Sequence, residues 1–456
     1  MHFVVAAALL NAAFFDDVGK RALDSGAAPG IAVAVVYQGR TVYEGGFGLA
    51  DLATRAPVTA QTRFAIGSLT KQLTAAAVTM LADEGKLSFD ERLAKFAPSL
   101  PNANQITLRM LLDQTSGLRN YPFLNEHAWP TQGEISTAQL LKILATDKPN
   151  FSPGTRWEYS NANYAGLAAV VEKGGGSPLG AFLDARIFAP LSMLDSGFGY
   201  AAQQNGSVAV GYRNGAPELP AISLDLYSGA GGVVSSAHDL ALWDNALLRG
   251  ALLGKSYLDR VWNESVPTGD GSRRYTMGWE IERDDGHREL WHNGLAPQVG
   301  GYCYNAIFPD DGLGVVVLTN GFGATGLPER IVRSIAAAYG IGAPPAPVAV
   351  ATVAPSDDSA VDARVRTFWN QLASGDVDRR ALTSDFAALL TPEYLAQVRA
   401  GIELLGELRS FTFVGTRQTE NVTIYRYALD FTGGVEHEWD VAITSDGKIA
   451  GSRLVR

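Results

Sequence analysis

Residues 64–74, FAIGSLTKQLT, decide how the rest of the chain is read. From Leu69 onward the apolar residues Leu73, Ala76, Ala77, Met80 and Leu81 recur at intervals of three and four, the period of a buried helix face, and Gly85 stands where a C-cap belongs. Ser68 sits at the start of this helix and Lys71 three residues on, so hydroxyl and amine share a face. A serine hydroxyl is a weak nucleophile until a nearby base takes its proton, and a lysine can be that base once burial or neighbouring charge lowers its pKa. The N–H groups of a helix N-terminus also point towards any developing oxyanion.

Upstream, residues 31–48, IAVAVVYQGRTVYEGGFG, form two β-rich runs broken by Gln38-Gly39-Arg40, a hairpin with a glycine turn. Downstream, residues 88–171 read as mostly helical and loop-rich, with breaks at Asn120-Tyr121-Pro122 and Ser152-Pro153-Gly154. Strand character returns at 275–281, 288–292, 301–308 and 314–319. A helical block between early and late strands implies one sheet built from both ends of a domain. Residues 341–358, IGAPPAPVAVATVAPSDD, read as a semi-rigid linker. Beyond it, helices at 361–372 and 392–400 and four β-like runs from about residue 410 make a small α+β domain over 359–456.

At 456 residues and 46% hydrophobic content the chain has material for one large domain and a smaller one. A formal charge of −10 leaves no electrostatic footprint for nucleic acid. The single cysteine, Cys303, excludes an internal disulfide and a CxxC pair and reads as a small core residue. Residues 1–15 hold an apolar run with no Lys or Arg before Lys20, so they are either an atypical signal remnant or the start of an ordered helix. The first alternative implies a periplasmic or secreted protein and the second a cytoplasmic one. The run is far short of the ~20 residues a membrane span needs.

S-x-x-K alone is weak, as Ser445-Asp446-Gly447-Lys448 shows: the same spacing there lies in a glycine turn between strands. Two further motifs add weight. Tyr159-Ser160-Asn161 closes a loop, PGTRWEYSN, directly before an apolar helix, where a phenol can shuttle a proton and an amide can hold a substrate carbonyl or the lysine. Tyr212-Arg213-Asn214 has the same pattern in a mere turn. His292-Asn293-Gly294 follows the strand-like ELW and precedes the glycine-rich APQVGGY; its glycine lets a substrate backbone approach, and a strand edge there offers a second oxyanion N–H.

SLTK, YSN and HNG, in this order, resemble the β-lactamase-like serine hydrolases, which include class C β-lactamases, DD-carboxypeptidases, D-aminopeptidases and lactamase-fold carboxylesterases. TRFAIGSLTKQLTAAAVTMLADEGKLSFDE, ITLRMLLDQTSGL, SGAGGVVSSAHDLALW and FPDDGLGVVVLTN each resemble family segments, and the likeness covers about residues 16–340. The resemblance implies an α/β (α+β) fold, an antiparallel sheet flanked by helices with a helical subdomain; separately, residues 359–456, helices followed by an antiparallel meander, resemble NTF2-like or cystatin-like small folds. It implies Ser68 as the nucleophile of an acyl-enzyme, Lys71 and Tyr159 as its proton-shuttling pair, and Asn161, His292, Asn293 and Gly294 as substrate-orienting residues. The N–H groups of Ser68 and Leu295 would form the oxyanion hole. Which of Lys71 and Tyr159 is the base stays open. No cofactor or metal is implied.

Many lactamases carry Lys-Thr-Gly where this chain has His292-Asn293-Gly294. A histidine is mostly neutral at pH 7.5, which removes the fixed charge for a substrate carboxylate and favours small esters and amides over peptides, and peptides over β-lactams. The different-class alternative is a catalytically silent sensor or binding module. Gly321-Phe322-Gly323-Ala324-Thr325-Gly326 fits G-x-G-x-x-G, but its helix runs into the linker with no following strand or acidic partner, which excludes a dinucleotide fold. No G-x-S-x-G or HExxH occurs. Oligomeric state is not legible.

Overall fold

The computed structural model describes residues 11–121, 133–206, 208–213, 216–217, 223–296, 300–322, 324, 326–342, 359–405, 407–418, 422–431 and 436–454. The chain divides into two compact units, the larger made of residues 1–24, 28–321 and 328–344, the smaller of 25–27, 322–327 and 345–456. Most of the N-terminal run and of the Pro/Ala-rich stretch, residues 1–10 and 343–358, lies outside the described residues.

The larger unit is organised by a nine-stranded antiparallel sheet. Its strands are β1 (Gly30–Tyr37), β2 (Arg40–Asp51), β3 (Ala56–Pro57), β4 (Val266–Pro267), β5 (Arg274–Thr276), β6 (Trp279–Asp284), β7 (His287–Leu295), β8 (Tyr302–Phe308) and β9 (Leu313–Thr319), in the spatial order β3-β2-β1-β9-β8-β7-β6-β5-β4. Gln38 (φ 50°) and Gly39 (φ 76°) make the two-residue turn expected between the first two strands. β1 pairs with β9 from Ile31↔Thr319 to Tyr37↔Leu313, so early and late sequence meet at the sheet centre.

Two strand boundaries differ from the sequence reading. The run at 275–281 is two strands, because Met277 (φ 50°) and Gly278 (φ 81°) turn the chain. Gly278 packs on the helix backbone so closely that a Cβ there would lie 2.6 Å from the Lys71 carbonyl carbon. His292-Asn293-Gly294 does not follow a strand that ends at 292; it lies inside β7, paired with Asn305, Tyr304 and Cys303 of β8.

The helices that position the site are α1 (Ala12–Asp24), α2 (Thr70–Asp83), α3 (Leu108–Leu112), α4 (Asn161–Gly175), α5 (Ala237–Arg249) and α6 (Leu327–Ala338). α2 and α5 cover one face of the sheet, where Asn305 Nδ2 donates to Asp244 Oδ1 (2.8 Å) and to Gln72 Oε1 (3.3 Å). α1 and α6 cover the other: Phe15 stacks on Tyr43 with centroids 4.7 Å apart, and Arg333 pairs with the buried Glu289 at 2.7 Å. α2 is buried along nearly its whole length, and one core joins it to α4, α5 and the sheet. The recurrence at three and four read from the sequence marks one face of a helix that the fold wraps on nearly all sides.

In the smaller unit, α7 (Ser359–Ser374), a short helix Ser384–Leu389 and α8 (Pro392–Leu405) precede an antiparallel meander of β10 (Leu408–Gln418), β11 (Val422–Phe431), β12 (Glu436–Thr444) and β13 (Ile449–Leu454). Its core is aromatic, with Phe368, Trp369, Phe411, Tyr427 and Trp439 buried together. Ser445–Lys448 forms the turn between β12 and β13, with Gly447 at φ 83°.

Candidate active site

From Phe64 to Leu81 every residue is buried except Ser68, which is partly exposed. It lies in a single 3₁₀ turn, Gly67–Leu69, that runs into α2. β7 crosses this turn at backbone contact. A Cβ on Gly294 would meet the Ile66 carbonyl oxygen at 2.0 Å, and one on Gly67 (φ 52°) would lie 2.6 Å from Leu295 O and 2.8 Å from Leu295 N. Glycine at both positions lets the main chains of residues 67 and 295 lie side by side.

Lys71 has no exposed surface. Its Nζ is 3.0 Å from Ser68 Oγ, 2.8 Å from Asn161 Oδ1 and 2.7 Å from the Ala230 carbonyl oxygen. The Tyr159 hydroxyl donates to Ser68 Oγ from 2.8 Å. Burial pushes the Lys71 amine well below the ordinary lysine value. Burial likewise raises the Tyr159 phenol, although its hydrogen bond to Ser68 acts the other way. Asn161 is held in turn: it begins α4, whose N-cap Ser160 accepts from Ala162 N (3.2 Å), and its Nδ2 donates to Tyr121 O (2.8 Å). Ser68, Lys71, Tyr159 and Asn161, spread over 94 positions of sequence, thus form one continuous hydrogen-bonded group.

The third motif divides along its strand. His292 is buried, with its ring 6.0 Å from that of Tyr159. Nδ1 lies 2.6 Å from the Asn293 carbonyl, an oxygen that only accepts, so Nδ1 carries the proton; Nε2 faces the Tyr275 hydroxyl at 3.5 Å. Burial above all lowers the imidazole to about 3 and keeps it neutral. Asn293 faces the opposite side of the sheet, as strand alternation requires, and its Nδ2 donates to the Tyr302 hydroxyl at 2.9 Å. Residues 297–299 of the glycine-rich passage lie outside the described residues.

Two contributors escape a reading of the sequence. The Ala230 carbonyl is a backbone group with no side-chain signature, aimed by a segment that Thr74 Oγ1 anchors at Gly229 O (2.8 Å). Tyr275 reads as an ordinary strand residue, yet its ring packs edge-on to Tyr159 and His292, at 6.3 and 5.9 Å. Cys303 is buried and its thiol is pushed up to about 12, which fits an inert core residue. Among the described residues no group of three or more His, Cys, Asp or Glu side chains is arranged to hold a metal, and no helix is long and apolar enough to cross a membrane.

A D-aminopeptidase of Brucella canis is 29% identical over 329 residues, 70% of this chain and 60% of that one. The chain spans about three-fifths of the length of the curated relatives it matches. Among solved structures, the penicillin binding protein from Bacillus halodurans superposes with a TM-score of 0.57 at 27% identity over 67% of this chain and 94% of the other. The octameric penicillin-binding protein homologue from Pyrococcus abyssi shares the fold over 98% of this chain and all of its own, with a TM-score of 0.62 at 19% identity. The Beta-lactamase family model matches residues 15–339, well over half of the sequence, and the chain therefore belongs to the Beta-lactamase family.

Proposed function

We propose that the protein is a serine hydrolase that works through an acyl-enzyme on Ser68, with esters or amides of small acyl groups as its substrates. The observation that carries this reading is the meeting of a buried amine and a phenol on one hydroxyl: Lys71 Nζ and the Tyr159 hydroxyl lie 3.0 and 2.8 Å from Ser68 Oγ. With Lys71 as the neutral amine, its two N–H groups serve Asn161 Oδ1 and Ala230 O, which only accept, and its lone pair is free to take the Ser68 proton. Burial favours the same neutral form, which makes Lys71 the base and the phenol of Tyr159 the acid.

In acylation the Ser68 proton passes to Lys71 as Oγ bonds to the substrate carbonyl carbon, and the N–H groups of residues 68 and 295 hold the oxyanion. As the tetrahedral adduct collapses, Tyr159 gives its proton to the departing alkoxide or amine, and Lys71 returns one to Tyr159. Water repeats the sequence on the acyl-enzyme and frees the acid. A neutral, buried His292 gives the substrate no fixed cation, which is why esters and amides without a carboxylate beside the scissile bond come first. The D-aminopeptidase relative supports a second reading, cleavage of D-amino acid amides or peptides by the same steps.

The test is a rate panel on wild type and Ser68→Ala: acyl esters, D-amino acid amides, peptides ending in a free carboxylate, and β-lactams. Ser68-dependent turnover led by the uncharged esters or amides is expected. A preference for the carboxylate-bearing peptides or lactams would contradict the substrate assignment, and activity undiminished in Ser68→Ala would contradict the chemistry.

A further inference from the structure

Tyr159 works only if its hydroxyl stays on Ser68, yet it ends a loop, and nothing in its own three-residue motif fixes its main chain. The two peptide N–H groups that bracket it both point to one residue. Glu158 N donates to the Gln114 main-chain carbonyl at 3.0 Å, and Ser160 N donates to Gln114 Oε1, also at 3.0 Å. The same Oε1 accepts from Asn163 Nδ2, one residue past the Lys71-binding Asn161, and Asn163 Oδ1 takes the hydroxyl of Ser116. Gln114 has no exposed surface and stands at φ 62°, a left-handed backbone that a non-glycine residue adopts only when its surroundings hold it there. Its place directly after α3, with Asp113 Oδ1 accepting from Thr276 Oγ1 of β5, ties that backbone to the sheet.

We infer that Gln114 is a positioning residue for the proton-donating Tyr159, clamping the main chain on both sides of it so that the phenol meets Ser68 and the departing group. The inference rests on the reading of Ser68 and Tyr159 proposed above. Gln114 acts through residues 158 and 160 rather than on Ser68 itself. An ångström of drift in Tyr159 is enough to slow proton delivery about 10²-fold.

Leaving-group dependence separates this role from a general loss of structure. A nitrophenolate departs without a proton, whereas an alkoxide needs one, so two esters of the same acyl group report on Tyr159 differently. In Gln114→Met, which keeps the length and removes the side-chain acceptor, kcat/KM, which reports acylation and not the breakdown of the shared acyl-enzyme, is expected to fall at least tenfold further for the alkyl ester than for the nitrophenyl ester. Gln114→Glu, which retains an acceptor oxygen, is expected to recover most of the alkyl-ester rate. If Gln114→Met does not fold, Gln114→Asn, which withdraws the oxygen by one methylene, is read in the same way. Equal losses on both esters, or no loss, in a wild-type background where Ser68→Ala is dead, would overturn the inference and leave the serine-hydrolase reading intact. Wild-type turnover that survives Ser68→Ala would overturn that reading first and this inference with it.

Discussion

A lysine without exposed surface, whose three hydrogen-bonding neighbours are uncharged oxygens, holds a proton poorly. The sign of the consequence follows: lowering the pKa makes the free base the dominant form at lower pH, so kcat/KM should rise with pH and level off below the ordinary lysine range of about 10.4. A limb centred on that ordinary value would contradict Lys71 as the base. Its replacement in Lys71→Ala should cost about 10²–10⁴-fold in kcat, the usual worth of a general base. His292, held at about 3, stays uncharged throughout such a profile and adds no limb of its own between pH 5 and 9. SLTK and YSN were legible residue by residue because each carries its own side-chain chemistry. The Ala230 carbonyl and the orientation of Asn293 were not, because a backbone group leaves no trace in composition and a strand face is known only once its register is.

At the scale of elements the site depends on β7 lying against the 3₁₀ turn of residues 67–69. A methyl added at Gly294 would sit 2.0 Å from the Ile66 carbonyl, so in Gly294→Ala the strand must withdraw. Overpacking of this kind costs about 1–3 kcal/mol, and here it also moves Leu295 N away from Ser68. The unfolding midpoint should fall and kcat should drop at least tenfold, measured side by side. Gly85→Ala, at φ 71° with nothing within 4 Å of the added carbon, should lower stability alone. Equal kcat in both variants would show that the strand does not build the site. The β1–β2 hairpin and α2 were legible because turn chemistry and helical period are local. The break at Met277-Gly278 and the continuation of β7 through the third motif were not, since close packing on α2 imposes the first and pairing with β8 the second.

Across the whole molecule, two S-x-x-K spacings and two Tyr-x-Asn patterns had to be told apart. Ser445–Lys448 belongs to a strand turn of the smaller unit, while Tyr212 pairs in a two-residue strand and its hydroxyl accepts from Leu52 N at 2.7 Å. Neither copy has a nucleophile and a buried amine in contact. Ser68 does, on a helix packed against a sheet whose two halves come from opposite ends of the larger unit. The most direct test of this account is intact-protein mass after exposure to a fluorophosphonate, on wild type and Ser68→Ala in parallel. One adduct on the wild type and none on the variant is the result predicted. A folded wild type that takes no adduct, or a variant labelled as fully as the wild type, would contradict an activated serine at position 68.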